Sequence, residues 1–103
     1  MANVKTDYSV TASELYNEFV ANESAANIKY LNKVLEVSGK VMDVKKEEDA
    51  MSIQLNGSDA GGVNCSLQKV SEKVPPVGSI IKVKGKCTGF LMDVNLVDAI
   101  IIK

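Results

Sequence analysis

The chain has 103 residues, with 12 basic and 13 acidic side chains and a formal net charge of −1. This length suits one domain with its own hydrophobic core, and the charge argues against strong nonspecific binding of polyanions, which depends on neutralising many phosphates. The sequence contains no His and no Trp, so the commonest general base and the commonest metal ligand are both missing. We therefore expect no enzyme activity, no metal site and no cofactor.

The first part of the chain predicts a helical extension. Residues 1–9 are polar, and we expect them to be disordered or frayed. Thr11 stands three residues before Glu14, which is the spacing of a capping box at the start of a helix. Apolar residues then recur at helical spacing, with an interruption at Asn22. Residues 10–31 are thus predicted to form a helix or a kinked pair of helices.

The apolar pattern changes to a period of two after the helical segment, which indicates strands. Alternating runs predict five strands over residues 34–45, 51–56, 63–68, 79–87 and 92–102. Between the third and fourth strands, Leu67, Val70 and Val74 have the spacing of a short helix. Five strands with a helix in this position is the layout of an OB-fold. The fold class is therefore mostly β, with residues 10–103 as a single OB-fold domain whose barrel occupies residues 34–103.

Two of the predicted strands share one residue pattern. Residues 34–41 and 80–87 each contain two apolar residues, a charge, Val, a polar residue, Gly, Lys and an apolar residue. A lone Gly inside an alternating run is typical of a strand that bends. We expect Gly39 and Gly85 to mark the places where the barrel wall curves.

Four segments carry a family resemblance: NESAANIKY at residues 22–30, KVLEVSGKV at 33–41, VNCSL at 63–67 and VKGKCTG at 83–89. Together they resemble the tRNA-anticodon-like OB-fold family of small bacterial proteins, over about residues 12–103. The resemblance implies a five-stranded barrel with an N-terminal helical extension. It also implies nucleic-acid binding and, because family members are often exported or lipid-anchored, an exported location in preference to a cytoplasmic one.

The second and third strands predict a polar, uncharged outer face. OB-folds use this face for ligands, together with the loops that follow the first and fourth strands. The candidate ligand-binding residues are Lys45, Lys46, Gln54, Asn64, Ser66 and Phe90. Phe90 is the one ring that the sequence places near this face for stacking on a base. The alternative is an ordinary solvated sheet face, with Phe90 folded back over the barrel.

Lysines on the outside of the fourth strand form a candidate basic patch with one lysine of the first strand. Its members are Lys40, Lys82, Lys84 and Lys86. Four ammonium groups could meet phosphates or an acidic partner. Alternatively, the lysines protect an exposed strand against edge-to-edge aggregation.

Some positions of the predicted strands do not fit a simple alternation. Ala99 and Ile101 fall on the outer face, where several apolar residues together would make an adhesive surface, so we expect the helical extension to cover the wall around Ile101. Asp98 falls at a nominally inward position, and a bulge there would turn it outward.

Cys65 and Cys87 both fall on inward positions of the predicted barrel. Two alternatives stay open for them, namely free thiols that pack as small apolar groups and a disulfide across the barrel. A metal site is not expected, because two Cys without His or a CxxC pair supply too few ligands.

The sequence is compatible with two functions. The first is a small OB-fold binding module for single-stranded nucleic acid or an oligosaccharide. The second is a structural or protein-interaction domain of unknown function, with the cell envelope as a candidate location. We expect a monomer without a membrane span, since no apolar run is long enough to cross a bilayer. Met1 is not followed by an apolar segment of a signal peptide, which fits a cytoplasmic protein or the mature part of an exported one.

Overall fold

The computed structural model describes residues 3–70 and 73–102. Its elements are β1 Tyr8–Thr11, α1 Ala12–Ala21, α2 Glu23–Tyr30, β2 Val34–Lys46, β3 Met51–Ser58, β4 Gly61–Leu67, β5 Ile80–Leu91 and β6 Asp93–Ile102. Strands β2 to β6 correspond to the five predicted strands. They close into a mixed barrel because β2 pairs with both β3 and β5, while β6 lies between β4 and β5. The predicted mostly β OB-fold is confirmed, and β1 is an additional strand.

Strand β1 attaches the N-terminal segment to the barrel by pairing in parallel with the first half of β2. Just before it, the N–H of Asp7 donates to the carbonyl oxygen of Val34 (2.8 Å), and the N–H of Val34 donates to the Asp7 carboxylate (2.9 Å). Residues 3–9 therefore differ from the frayed end expected from their polarity, since hydrogen bonds hold the segment on β2. Residues 1 and 2 of that expected end lie outside the described residues.

The helical extension consists of two helices that meet at Asn22. The predicted capping box is present at the start of α1: the Thr11 hydroxyl accepts from the N–H of Glu14, and the Glu14 carboxylate accepts from the N–H of Thr11, both at 3.1 Å. Asn22 has an extended backbone, and its side chain accepts from the N–H of Ala25 at 3.1 Å. One residue thus ends α1 and caps α2, which produces the interruption seen in the sequence.

Helix α1 packs over the barrel core, mainly on β3 and β4. Its buried side chains are Ala12, Leu15, Tyr16 and Phe19. A Cβ atom built on Gly57 would lie 2.7 Å from the Cβ of Tyr16, so this close approach depends on a glycine. We expected the helices to cover the wall around Ile101, but they do not, because α1 inserts its apolar side into the core. Ile101 lines two surface grooves instead.

The two glycines of the repeated strand pattern leave room for neighbouring elements to pack closely against their strands. Neither Gly39 nor Gly85 has a left-handed φ. A Cβ on Gly39 would lie 2.9 Å from the Cβ of Ala12, and a Cβ on Gly85 would lie 3.1 Å from the Cβ of Ala99. These positions therefore let α1 and β6 approach the neighbouring strands closely.

Strand β6 contains the bulge that its sequence predicted at Asp98. The pairing of β5 with β6 shifts by one residue between Lys84 and Lys86, and Asp98 is exposed with a φ of 52°. The extra residue reverses the alternation that follows it. As a result, Ala99 is buried and Ile101 packs against the core, whereas simple alternation predicted both on the outer face.

The segment between β4 and β5 differs from the predicted short helix. Residues 67–70 and 73–79 form a strand end, bends and turns, without helix in the part that the structure describes, and residues 71 and 72 lie outside it. The N–H of Gln68 donates to the carbonyl oxygen of Ala99 at 2.8 Å. This bond prolongs the sheet where the apolar spacing had indicated a helical turn. Within the described ranges, neither α1 nor α2 has the length and hydrophobicity needed to cross a membrane.

Candidate ligand-binding site

A groove of about 330 Å³ lies on the outer face of the barrel. Its lining residues are Asp43, Lys45, Ser52, Gln54, Asn64 and Asp93. The strand register explains this grouping, because Asp43 pairs with Gln54 and Gln54 pairs with Asn64. Three neighbouring strands thus present one row of polar side chains across the sheet.

A second polar row runs beside the first. Lys45 pairs with Ser52, and Ser52 pairs with Ser66. These residues line a neighbouring concavity of about 280 Å³, to which the turn after β2 contributes Glu47 and Asp49. Lys45 and Ser52 belong to both concavities, so the two rows form one continuous polar surface.

Backbone groups fix the carboxylate of Asp93 at the edge of the groove. The carboxylate oxygen Oδ1 accepts a hydrogen bond from the N–H of Gly62 at 2.9 Å. The backbone carbonyl oxygen of Asp93 accepts a hydrogen bond from the side-chain amide of Asn95 at 3.1 Å. A Cβ atom on Gly61 would lie 2.9 Å from the same Oδ1. The first two residues of β4 are therefore glycines, which give the carboxylate an N–H donor and the space to approach the strand.

The groove offers both hydrogen-bond donors and hydrogen-bond acceptors. Gln54 and Asn64 each offer an amide donor and a carbonyl acceptor. Asp43 and Asp93 add acceptors, and Lys45 adds a positive donor. Such a set suits a ligand with many hydroxyl, amide or ring-nitrogen groups.

Comparison with known proteins places the chain in a family. The model of the tRNA_anti-like family matches residues 1–101. The chain belongs to the tRNA_anti-like family. Its fold is similar to the crystal structure of the putative nucleic acid-binding lipoprotein from Klebsiella pneumoniae subsp. pneumoniae, with a TM-score of 0.74 and 14% identity over 92% of this chain and 91% of that chain. At this identity the likeness shows the fold alone. No curated protein matches the chain.

Phe90 does not lie in a loop of this tRNA_anti-like barrel. Strand β5 continues to Leu91, longer than predicted, because its hairpin with β6 stays paired to that residue. The Phe90 ring stacks on Phe19 of α1 with centroids 5.5 Å apart, and it meets the ring of Tyr16 edge-on at 5.9 Å. Phe90 thus follows the alternative of a ring folded back on the barrel, and it is not among the residues that line the groove.

Lys46 also lies apart from the other candidate residues. It pairs with Met51, which is buried, whereas Lys45 pairs with Ser52 of the polar row. Because neighbouring residues of a strand point to opposite faces, the two lysines diverge. Of the six candidates, Lys45, Gln54, Asn64 and Ser66 come together on the polar surface, and Lys46 and Phe90 do not.

The sequence analysis missed the two carboxylates of the groove. A register shift between Val41 and Asp43 turns Asp43 outward and packs Val44 against the core. Uniform alternation along β2 would give these two residues the opposite orientations. Asp43 lies two residues before Lys45, so a regular strand would place both on the same face. This spacing could have identified Asp43. Asp93 follows the turn after the fourth strand, a region that OB-folds use for binding.

The four lysines of the predicted basic patch do not form one exposed surface. Lys84 is only 8% exposed, and its ammonium group donates to the carbonyl oxygen of Val4. Nearby, the hydroxyl of Thr6 donates to the carboxylate of Glu36, which stands opposite Lys84 in the strand register. The N-terminal segment therefore covers the middle of the patch. Lys40 and Lys86 remain exposed on either side, and Lys82 is half-buried.

Cys65 and Cys87 are buried free thiols. Both pair with Leu96, so β6 runs between the strands that carry them. Strands lie about 4.8 Å apart, which puts the two Cα atoms on the order of 8–10 Å apart, beyond the roughly 7 Å that a disulfide spans. Burial raises the pKa of the Cys65 thiol to about 12 and also raises the pKa of Cys87. The disulfide alternative does not fit this register.

Metal-ligating side chains are dispersed in the described part of the chain. Residues 3–70 and 73–102 contain no group of three or more His, Cys, Asp or Glu side chains that could hold a metal ion.

Proposed function

We propose that this tRNA_anti-like protein is a binding module, not an enzyme, and that it binds single-stranded nucleic acid in the groove between Asp43 and Asp93. The observation that carries the proposal is the row formed by Gln54 and Asn64 on the face that OB-folds use for ligands. Unpaired bases expose edges that amide side chains can recognise by hydrogen bonding. The family match and the likeness to the putative nucleic acid-binding lipoprotein support the same ligand class.

The groove composition supports weak binding with a small electrostatic contribution. Among the described lining residues, Lys45 is the one cation and none has an aromatic ring. A stacking ring contributes roughly 1–3 kcal/mol per base, and each neutralised phosphate contributes a slope of about −0.7 in log K against log salt for a single strand. We therefore expect the slope of log K against log salt to be near −0.7, which is about the value for one neutralised phosphate.

Neutral oligosaccharide is the second candidate ligand. Asp43 and Asp93 favour it, because carboxylates accept hydrogen bonds from sugar hydroxyls and repel phosphates. Both carboxylates belong to the same groove as the amides. The two ligand classes therefore compete for one surface and can be tested with one protein.

An NMR titration of ¹⁵N-labelled protein at low salt tests the proposal. A mixed-sequence hexanucleotide should shift the signals of Gln54, Asn64 and Lys45, and the variant Asn64→Ala should weaken binding severalfold. Asn17→Ala is the matched control, since it removes an exposed amide from α1. Shifts with chitotetraose but not with the hexanucleotide would support the second candidate. No shift with either ligand at millimolar concentration would reject the groove as a binding site.

We also propose that the native protein is an exported monomer. The likeness to a lipoprotein supports export to the cell envelope. Fractionation of the native cells, followed by immunoblotting, should find the protein in the envelope fraction, and a cytoplasmic location would contradict the proposal. Sedimentation should give the 11.1 kDa mass of one chain.

A further inference from the structure

A second surface, outside the polar groove, is aliphatic and concave. It consists of two grooves of about 400 Å³ each, which meet at Ile101. The first groove lies where β5 begins and β6 ends, and its lining includes Ile80 and Ile102. The second is lined by the segment before β5, including Val74 and Pro75. We refer to the two together as the aliphatic double groove.

Large apolar side chains are unusually exposed here. Ile80 is 78% exposed and Val74 is 46% exposed. Strand pairing accounts for this exposure: among the described residues, β5 pairs with β6 from Lys82 onward, and the strand neighbour of Ile80 is Lys40 of β2. Clustered exposed apolar residues of this kind mark interaction sites.

The charged residues described around the double groove are lysines. Lys82 lines the first groove, and Lys40 stands opposite Ile80 in the strand register. Lys73 also lines the second groove, but it already has another interaction partner, so Lys40 and Lys82 are the cations open to a ligand's carboxylates. Among the residues that the structure describes, neither lining includes Asp or Glu. A partner of complementary charge is therefore acidic.

The shape favours a peptide over a lipid bilayer. Two concavities separated by Ile101 can each receive one side chain, whereas a bilayer presents a flat surface. In an extended peptide, residues i and i+2 point to the same side. Two aliphatic side chains with this spacing would enter the two grooves, and the residues between and beside them would place carboxylates near Lys40 and Lys82.

We propose that the aliphatic double groove docks an acidic, extended segment of a protein partner that inserts two aliphatic side chains. This interaction is independent of the polar groove and of its ligand. It gives the protein-interaction hypothesis a defined surface, and both activities can exist in one chain.

Two acetylated peptides test the proposal, Glu-Ile-Glu-Val-Glu and its basic counterpart Lys-Ile-Lys-Val-Lys. In ¹⁵N NMR titrations, the acidic peptide should produce saturable shifts at Ile80, Lys82 and Ile101. The variant Ile80→Ser should weaken binding about tenfold. Ile28→Ser is the matched control, because Ile28 is 85% exposed on α2, and it should leave binding unchanged. Lys82→Glu should shift the preference toward the basic peptide.

Three outcomes would overturn the proposal. The first is the absence of shifts with the acidic peptide at millimolar concentration. The second is an equal response to the acidic and basic peptides, which would indicate nonspecific hydrophobic contact. The third is binding to dioleoylphosphatidylglycerol vesicles without binding to the peptide, which would assign the surface to a membrane. The hexanucleotide titration has no bearing on any of these results, so the two proposals can fail separately.

Discussion

The ammonium group of Lys84 donates a hydrogen bond to the backbone carbonyl of Val4, so a side chain of the barrel wall holds the N-terminal segment in place. Lys84 is 8% exposed although it lies on the outer face of β5. The same segment donates from Thr6 to Glu36 of β2. Residues 3–11 are therefore part of the barrel's outer layer.

Loss of the Lys84 contact should destabilise the fold. Lys84→Ala removes a hydrogen bond to a charged donor and should lower the free energy of unfolding by about 1.5–3 kcal/mol. Lys86→Ala is the control, since Lys86 is exposed two residues further along β5, and its effect should stay within about 0.5 kcal/mol. Urea unfolding measures both values. Equal effects of the two substitutions would contradict the structural role of Lys84.

The sequence predicted the polar row best where the strands are regular. Strands β3 and β4 alternate without interruption through Gln54 and Asn64, so period two alone gave the correct face. In β2 and β6, a single extra residue reverses the alternation. A carboxylate at a nominally inward position revealed the bulge at Asp98, whereas the bulge in β2 was missed, although uniform alternation also gives the carboxylate of Asp43 an inward position.

Tertiary contacts account for the remaining differences from the predicted site. Phe90 follows a Gly and precedes an exposed turn, which resembles a loop in sequence. Its burial depends on Phe19, which is distant along the chain and reaches Phe90 only because α1 lies over the barrel. Likewise, the burial of Lys84 depends on the path of residues 3–7. Local periodicity carries no information about either contact.

Contact between α1 and the barrel should depend on Gly39. Gly39→Ala places a Cβ 2.9 Å from the Cβ of Ala12 and 3.2 Å from the Cβ of Leu55, and such overpacking should cost about 1–3 kcal/mol. The double variant Gly39→Ala/Ala12→Gly removes the closer contact and should recover part of the loss. A double-mutant cycle from thermal or urea unfolding measures this coupling. Additive effects of the two substitutions would show that the helix does not limit the space at Gly39.

The bulge in β6 should respond to the side chain at residue 98. Asp98 has a φ of 52° and is exposed, so its substitution changes backbone strain more than packing. Asp98→Gly should preserve or raise the free energy of unfolding, by up to about 1 kcal/mol. Asp98→Val should lower it by about 1–2 kcal/mol, because a β-branched residue is strongly disfavoured at this φ. Equal stability of the Gly and Val variants would indicate that this residue does not adopt the left-handed conformation.

Both cysteines should be protected from modification in the native state. Cys65 and Cys87 are buried and free, and thiols react as thiolates. Native protein should therefore resist Ellman's reagent at neutral pH, and two thiols should react after unfolding in urea without reductant. Detection of fewer than two thiols in the unfolded protein would point to a disulfide and contradict the register around Leu96.

The Cys65 thiol should also make the fold sensitive to alkaline pH. Burial raises the pKa of the Cys65 thiol in the native state to about 12 from its ordinary value of 9.0, so the native state retains a proton that the unfolded chain releases. The stabilisation is fully present below the unfolded pKa and is lost as the pH rises from about 9 toward 12, by up to about 1.4 kcal/mol per pH unit. Tyrosines and lysines also titrate in this range, so the informative comparison is with Cys65→Ala. The variant should lose less unfolding free energy than the native sequence between pH 8 and about 10.5, and parallel pH profiles in urea unfolding would show that this thiol does not contribute.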